Sequence, residues 1–202
     1  MAVDQDYFFI QKKDDDTLPS LTPDENTVDR HYSFEPQPYG AAPFMFSDGA
    51  CEYARKLGIV PGTDIPDILF AGTDLVVRKH IRDLLIGLDL PGVYMHPAVF
   101  VDAYDRRHED YWFVAIPERL SCWDRQLSEF EDEPLELGGF TLYSVYSYSL
   151  DATVLDKIPL HQRLLFKMGD TLAAWFVCHQ DIAEIFRGNG ERGAKLVAIK
   201  DY

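Results

Sequence analysis

The side chains able to carry chemistry in this chain are six histidines (His31, His80, His96, His108, His161 and His179), three cysteines (Cys51, Cys122 and Cys178) and a large excess of carboxylates. A metal site needs three or four ligands at short, fixed spacings, as in His-Glu-x-x-His or paired Cys and His motifs, and no such spacing occurs. Neither a metal nor any other cofactor is expected. His96, Asp102 and His108 are the set that folding would have to bring together for acid–base hydrolysis. Cys178 with His179 and Asp181 has the make-up of a thiol nucleophile and its base. A helix is expected over residues 178–186, however, where adjacent side chains point in different directions, and a cysteine in an apolar run is ordinarily packing. The GNGERG segment at 188–193 looks like a phosphate loop, yet it follows a helix and leads into a strand. Phosphate-binding glycines need the reverse order, so that a helix N-terminus faces the anion. No residue is assigned a catalytic role, and the chain is expected not to be an enzyme.

The charge balance is more specific. With 34 acidic and 19 basic residues the formal net charge is −15. Phosphate binding needs clustered Lys and Arg, so direct binding of nucleic acid is disfavoured, as is an anionic membrane surface. A basic protein would be steered in by the same field. The 202 residues are 47% hydrophobic, enough for one substantial core, and a single domain over 1–202 is expected. The 13 Phe, 11 Tyr and 3 Trp suit cores and partner-facing surfaces alike. Three widely spaced cysteines read as reduced thiols. The opening residues lack a basic leader followed by an apolar stretch, and no segment approaches the roughly 20 apolar residues that a bilayer requires. A cytoplasmic protein is expected.

These groups must be positioned by strands and helices that the residue patterns outline. Residues 7–11 (YFFIQ) and 111–116 (YWFVAI) suit strands, the second being the best candidate for a central one. Residues 12–43 are polar and proline-bearing and read as a long loop or arm. A helix is expected from a cap at Ser47 or Asp48 through Leu57, and another over about 78–88 with Ile81, Leu84, Leu85 and Leu88 on one face. Residues 68–70, 93–101 (interrupted by Pro97), 164–166 and 195–199 read as extended. Residues 129–136 form an acidic loop, and 140–150 alternate as a half-exposed strand or hairpin.

Residues 68–92 resemble residues 164–193. Phe70 falls on Phe166 and Asp74 on Asp170; then, after an insertion, Val76 falls on Val177, Ile81 on Ile182, Gly87 on Gly188 and Gly92 on Gly193. The expected fold is α+β: a mixed or antiparallel sheet with packed helices, built from two pseudo-symmetric strand–helix–strand halves. The candidate partner-binding residues are Trp123, Asp124, Glu129, Glu131, Asp132, Glu133, Glu136, Tyr143, Tyr146 and Tyr148, in which rings supply buried area and carboxylates supply charge-assisted hydrogen bonds. Trp123 reads more readily as a core anchor than as an exposed ring.

Several blocks resemble the Imm11-type immunity proteins of bacterial polymorphic toxin systems. Tyr111-Trp112 opens one block, which Ser121-Cys122-Trp123-Asp124 closes; Phe176-Val177-Cys178-His179-Gln180 and the following helix form a second, echoed at residues 75–97; the YFFIQ strand and the segment at 43–57 suit the same pattern. Ala115 stands where that family tends to have Asn. The resemblance implies a protein that binds a cognate secreted toxin and blocks it by occlusion, with no catalytic residues to carry over. The competing expectations are a small hydrolase-like enzyme with a histidine/carboxylate site and a structural assembly subunit.

Overall fold

Aromatic and β-branched runs separated by polar turns become strands because their side chains bury well on a pleated surface. The computed structural model describes residues 3–187 and 193–202. Along the chain come β1 (Tyr7–Lys12), β2 (Leu21–Pro23), α1 (Glu25–Asp29), β3 (Phe44–Asp48), α2 (Cys51–Lys56), β4 (Ile68–Ala71), β5 (Asp74–Arg78), α3 (Lys79–Gly87), β6 (Tyr94–Val101) and β7 (Arg107–Ala115). After these come β8 (Glu129–Phe130), β9 (Leu135–Leu137), β10 (Phe140–Leu142), β11 (Val145–Ser147), α4 (Ala152–Leu155), β12 (Leu165–Lys167), β13 (Phe176–His179), α5 (Ala183–Arg187) and β14 (Ala194–Ala198). The fold is α+β. Among the described residues no helix is long and apolar enough to cross a membrane.

The chain divides into two compact units, each made from separated segments. The first, here the barrel unit, takes the described residues of 12–117 and 185–195. Its six strands run β2-β3-β6-β7-β5-β4, with β3 and β6 parallel and every other neighbouring pair antiparallel. The end strands β2 and β4 lie against each other, so the sheet nearly closes. Phe44, Phe46, Phe100, Tyr111 and Phe113 fill its interior, and the Tyr32 ring meets Phe44, Phe46 and Phe113 edge-on. Pro97 lies within β6, immediately before the rungs to β3 begin at Ala98, so its missing N–H does not interrupt the strand.

The second, the ribbon unit, takes the described residues of 1–11, 118–184 and 196–202. Its four-stranded sheet runs β12-β13-β1-β14. Tyr7, Phe9, Trp123, Tyr148, Phe166 and Val177 form its core.

Each repeat segment contains an antiparallel hairpin and a helix, and a further strand follows it: β4-β5-α3 then β6, and β12-β13-α5 then β14. In each sheet one strand inserts between the hairpin and the last strand, giving β4-β5-β7-β6 and β12-β13-β1-β14. The registers coincide. Val76 pairs with Leu69 and Phe113, and Val177 pairs with Phe166 and Phe9; Arg78 pairs with Tyr111, and His179 with Tyr7. The residue matching Phe166 is therefore Leu69 and not Phe70, because a one-residue slip along a strand turns its side chains to the other face. Asp74 lies in β5 and Asp170 in the loop after β12, so those two are not equivalent. Gly188 lies outside the described residues.

Other expectations shift locally. The arm at 12–43 contains β2 and α1: Asp24 caps α1 by accepting from Thr27 N at 2.8 Å, and the buried Thr27 hydroxyl accepts from Met45 N at 2.9 Å. Ser47 and Asp48 end β3, and α2 starts only at Cys51. Cys178 and His179 are strand and not helix. They pair with Phe8 and Tyr7, and His179 Nδ1 then accepts from Asp181 N at 3.2 Å, capping the helical turn that leads into α5. On α3 only Ile81 and Leu85 are buried, while Leu84 and Leu88 face outward.

Candidate partner-binding surface

The acidic segment and the alternating segment after it form one antiparallel ribbon over residues 129–147. At its base β8 pairs with β11, Phe130 lying opposite Val145, and Glu131 N donates to Ser144 O at 2.9 Å. At its tip β9 pairs with β10 through Leu135 with Leu142, Glu136 with Thr141, and Leu137 with Phe140. Gly138 and Gly139, with φ of +59° and +84°, make the two-residue turn that requires positive φ at both positions.

An aromatic cluster holds the base. The Trp123 and Phe130 rings meet edge-on at 5.0 Å, and Tyr143 lies 5.7 Å from Trp123 and 5.5 Å from Phe130. The Arg125 guanidinium covers Trp123 and Tyr143 at 4.4 and 4.3 Å from the ring centres and bridges to Asp170 at 3.2 Å. Asp124 closes the turn into the ribbon by accepting from Gln126 N at 2.7 Å and Leu127 N at 3.2 Å.

The predicted residues therefore fall into two sets. Trp123 and Tyr148 are 5% and 4% exposed and belong to the core, so neither is available to a partner. Burial pushes the Tyr148 hydroxyl up to about 12. Tyr143 and Asp124 are half-buried and support the base. Glu129, Glu131, Asp132, Glu133, Glu136 and Tyr146 are exposed. The Tyr146 hydroxyl donates to Glu131 Oε1 at 2.5 Å, which holds that carboxyl below its usual range and raises the phenol. Glu136 accepts from the Thr141 hydroxyl at 2.9 Å across the tip.

The residues missing from this set are Leu135, Leu137, Phe140 and Leu142. Directly opposed residues and residues two apart share a face, so all four project from one side of the tip, with Glu136 and Thr141 on the other. Leu135, Leu137 and Phe140 are 50%, 61% and 66% exposed. The signal was present as Leu-Glu-Leu-Gly-Gly-Phe-Thr-Leu, an alternating pattern around a Gly-Gly hairpin turn. From Gln126 to Asp156 the chain carries seven carboxylates and no Lys or Arg, so the only charge bordering the tip in sequence is negative.

The groups considered for catalysis are engaged elsewhere. Asp102 and His108 do come together, with His108 Nε2 2.9 Å from Oδ2, but His96 sits four residues from the Phe100–His108 pair along β6, against Phe44 and the Ala42 carbonyl. The Asp102 carboxylate also accepts from Arg106 Nε at 2.7 Å and from the N–H groups of Tyr104 and Arg106, so it organises the turn between β6 and β7. Cys122 and Cys178 are buried, and burial pushes the Cys122 thiol up to about 12, far from thiolate chemistry at neutral pH. Among the described residues no group of three His, Cys, Asp or Glu side chains is placed to hold a metal ion. Residues 188–192 of the glycine-rich segment lie outside the described residues.

No protein-family model matches the chain, and no curated protein matches it.

Proposed function

We propose that this chain is a binding protein that blocks a basic protein partner by covering it, as an immunity protein covers a secreted toxin, and that it does so without chemistry of its own. The observation carrying this reading is the tip of the ribbon, residues 135–142, which is largely exposed, apolar along one face, and bordered in sequence only by negative charge. An exposed apolar strip next to carboxylates suits an interface whose centre excludes water and whose rim pairs with Lys and Arg. The overall charge of −15 adds long-range steering. The resemblance to toxin-system immunity proteins points the same way and names the class of partner. A cytoplasmic location, where such a protein would protect the cell producing the toxin, belongs to this proposal.

The test is co-expression with the products of neighbouring genes. The expected result is relief of growth arrest by one of them and a stoichiometric complex whose association slows as salt is raised. The triple variant Glu131→Gln, Asp132→Asn, Glu133→Gln should slow association about tenfold and flatten its salt dependence. Unchanged kinetics in that variant would remove the acidic segment from the interface, and recovery of the chain alone with its neighbours expressed would sink the proposal.

A further inference from the structure

We infer that the β9–β10 tip takes up an extended segment of the partner, in which apolar and basic residues alternate, as a third strand. This rests on the basic-partner reading above and says how that partner is held. Among the described residues neither β9 nor β10 pairs outward, so each offers a row of backbone donors and acceptors to an added strand. A two-stranded hairpin is marginal by itself, and a third strand both completes the ladder and covers apolar side chains. Side chains on an added strand alternate between the two faces of the tip. Those on one face meet Leu135, Leu137, Phe140 and Leu142, and those on the other stand beside Glu136. Complementarity therefore asks for an apolar residue followed by a cation, repeated. A second copy of this chain does not meet that demand, because its own tip carries Glu136 where a cation is wanted and brings the seven carboxylates of 126–156 against their like.

The experiment titrates the full chain with a seven-residue synthetic peptide alternating Leu and Lys, following the backbone amides of residues 135–142 by NMR and the affinity by calorimetry. Three control peptides are used: Ser alternating with Lys, Leu alternating with Glu, and the Leu–Lys peptide with alternate amides methylated. The Leu–Lys peptide should shift and protect amides at the tip, while each control binds about tenfold or more weakly. Phe140→Ser should weaken Leu–Lys binding about tenfold and leave the unfolding midpoint of the chain unchanged. Equal binding of the Ser–Lys and Leu–Lys peptides, unaffected by Phe140→Ser, would overturn the strand inference and leave the basic-partner reading standing. Equal binding of the Leu–Glu peptide would overturn both. Undiminished binding of the methylated peptide would exclude strand addition, and the absence of any shift at 135–142 with all four peptides would exclude the tip.

Discussion

In the barrel unit the strand inserted between hairpin and last strand is β7, which follows β6 through a short turn; in the ribbon unit it is β1, from the opposite end of the chain to β14. The inserted strands read almost alike, Tyr7-Phe8-Phe9-Ile10 and Tyr111-Trp112-Phe113-Val114, and each tyrosine is buried beneath an arginine, Arg163 over Tyr7 and Arg78 over Tyr111. The sheets diverge beyond this shared frame. The barrel unit adds β2 and β3, nearly closes, and places its aromatics inside. The ribbon unit keeps four strands and extends a ribbon whose base is packed and whose tip is bare. One frame thus supports an inward-facing core in one unit and an outward-facing apolar strip in the other. What separates them is whether the added strands return to the sheet.

The equivalence of the inserted strands is open to direct attack. Phe9 and Phe113 occupy the same register, are fully buried and sit among aromatic rings. Phe9→Ala and Phe113→Ala should each cost about 3–5 kcal/mol in denaturant unfolding. A cost below about 1 kcal/mol for either one would break the comparison.

A smaller and more asymmetric effect is expected at the matched glycines. Gly92 and Gly193 both have positive φ, +72° and +112°. A Cβ at Gly92 would meet open space, whereas one at Gly193 would overlap the Ile68 carbonyl oxygen and crowd Pro66. Gly92→Ala should cost about 1 kcal/mol from backbone strain alone, and Gly193→Ala about 3 kcal/mol. Equal costs would mean that conformation, and not close approach, decides both positions.

The sequence made the frame legible wherever a pattern is self-contained. The aromatic runs at 7–11 and 111–116 mark their strands, Ile81 and Leu85 mark the buried side of α3, and the two repeat segments mark a shared layout. The exposed apolar tip is obscured in the sequence because Glu129, Glu131, Asp132, Glu133 and Glu136 dominate the reading of their segment as a solvated loop. Only pairing across Gly138-Gly139 puts Leu135 and Leu137 beside Phe140 and Leu142. Register was the other gap: matching Phe70 to Phe166 satisfies residue identity, yet the ladder matches Leu69. Identity along a chain does not report which face of a strand a residue occupies. The Asp102–His108 contact follows from the hairpin of β6 and β7, whereas the further donors that make this carboxylate a turn clamp, the N–H groups of Tyr104 and Arg106 and the Arg106 Nε, converge through a turn geometry that composition does not encode.

That clamp provides a further difference to test, since the turn carrying it has no counterpart in the ribbon unit, where β14 and β1 lie at opposite ends of the chain. Burial would raise the pKa of Asp102, but hydrogen bonds from His108, from the backbone N–H groups of Arg106 and Tyr104, and from the Arg106 side chain outweigh it and bring it to about 2. Its carboxyl is only 2% exposed in the folded chain. A carboxyl whose folded pKa lies below its unfolded value adds stability at pH above the unfolded value and loses it as pH falls through the folded one. Asp102 should therefore contribute about 2 kcal/mol near pH 6, a contribution that declines between about pH 4 and pH 2. Asp102→Asn should lower stability at pH 6 by about that amount, and its deficit relative to the parent should shrink over the same range. Hydrogen exchange should locate the loss: amides of β6 and β7 become less protected in the variant, while those of β13 keep their protection. A deficit independent of pH would mean that the hydrogen-bond geometry, and not the charge, holds the turn. Equal loss of protection in β13 would show that the two units open together, and the comparison between them would then hold for architecture and not for stability.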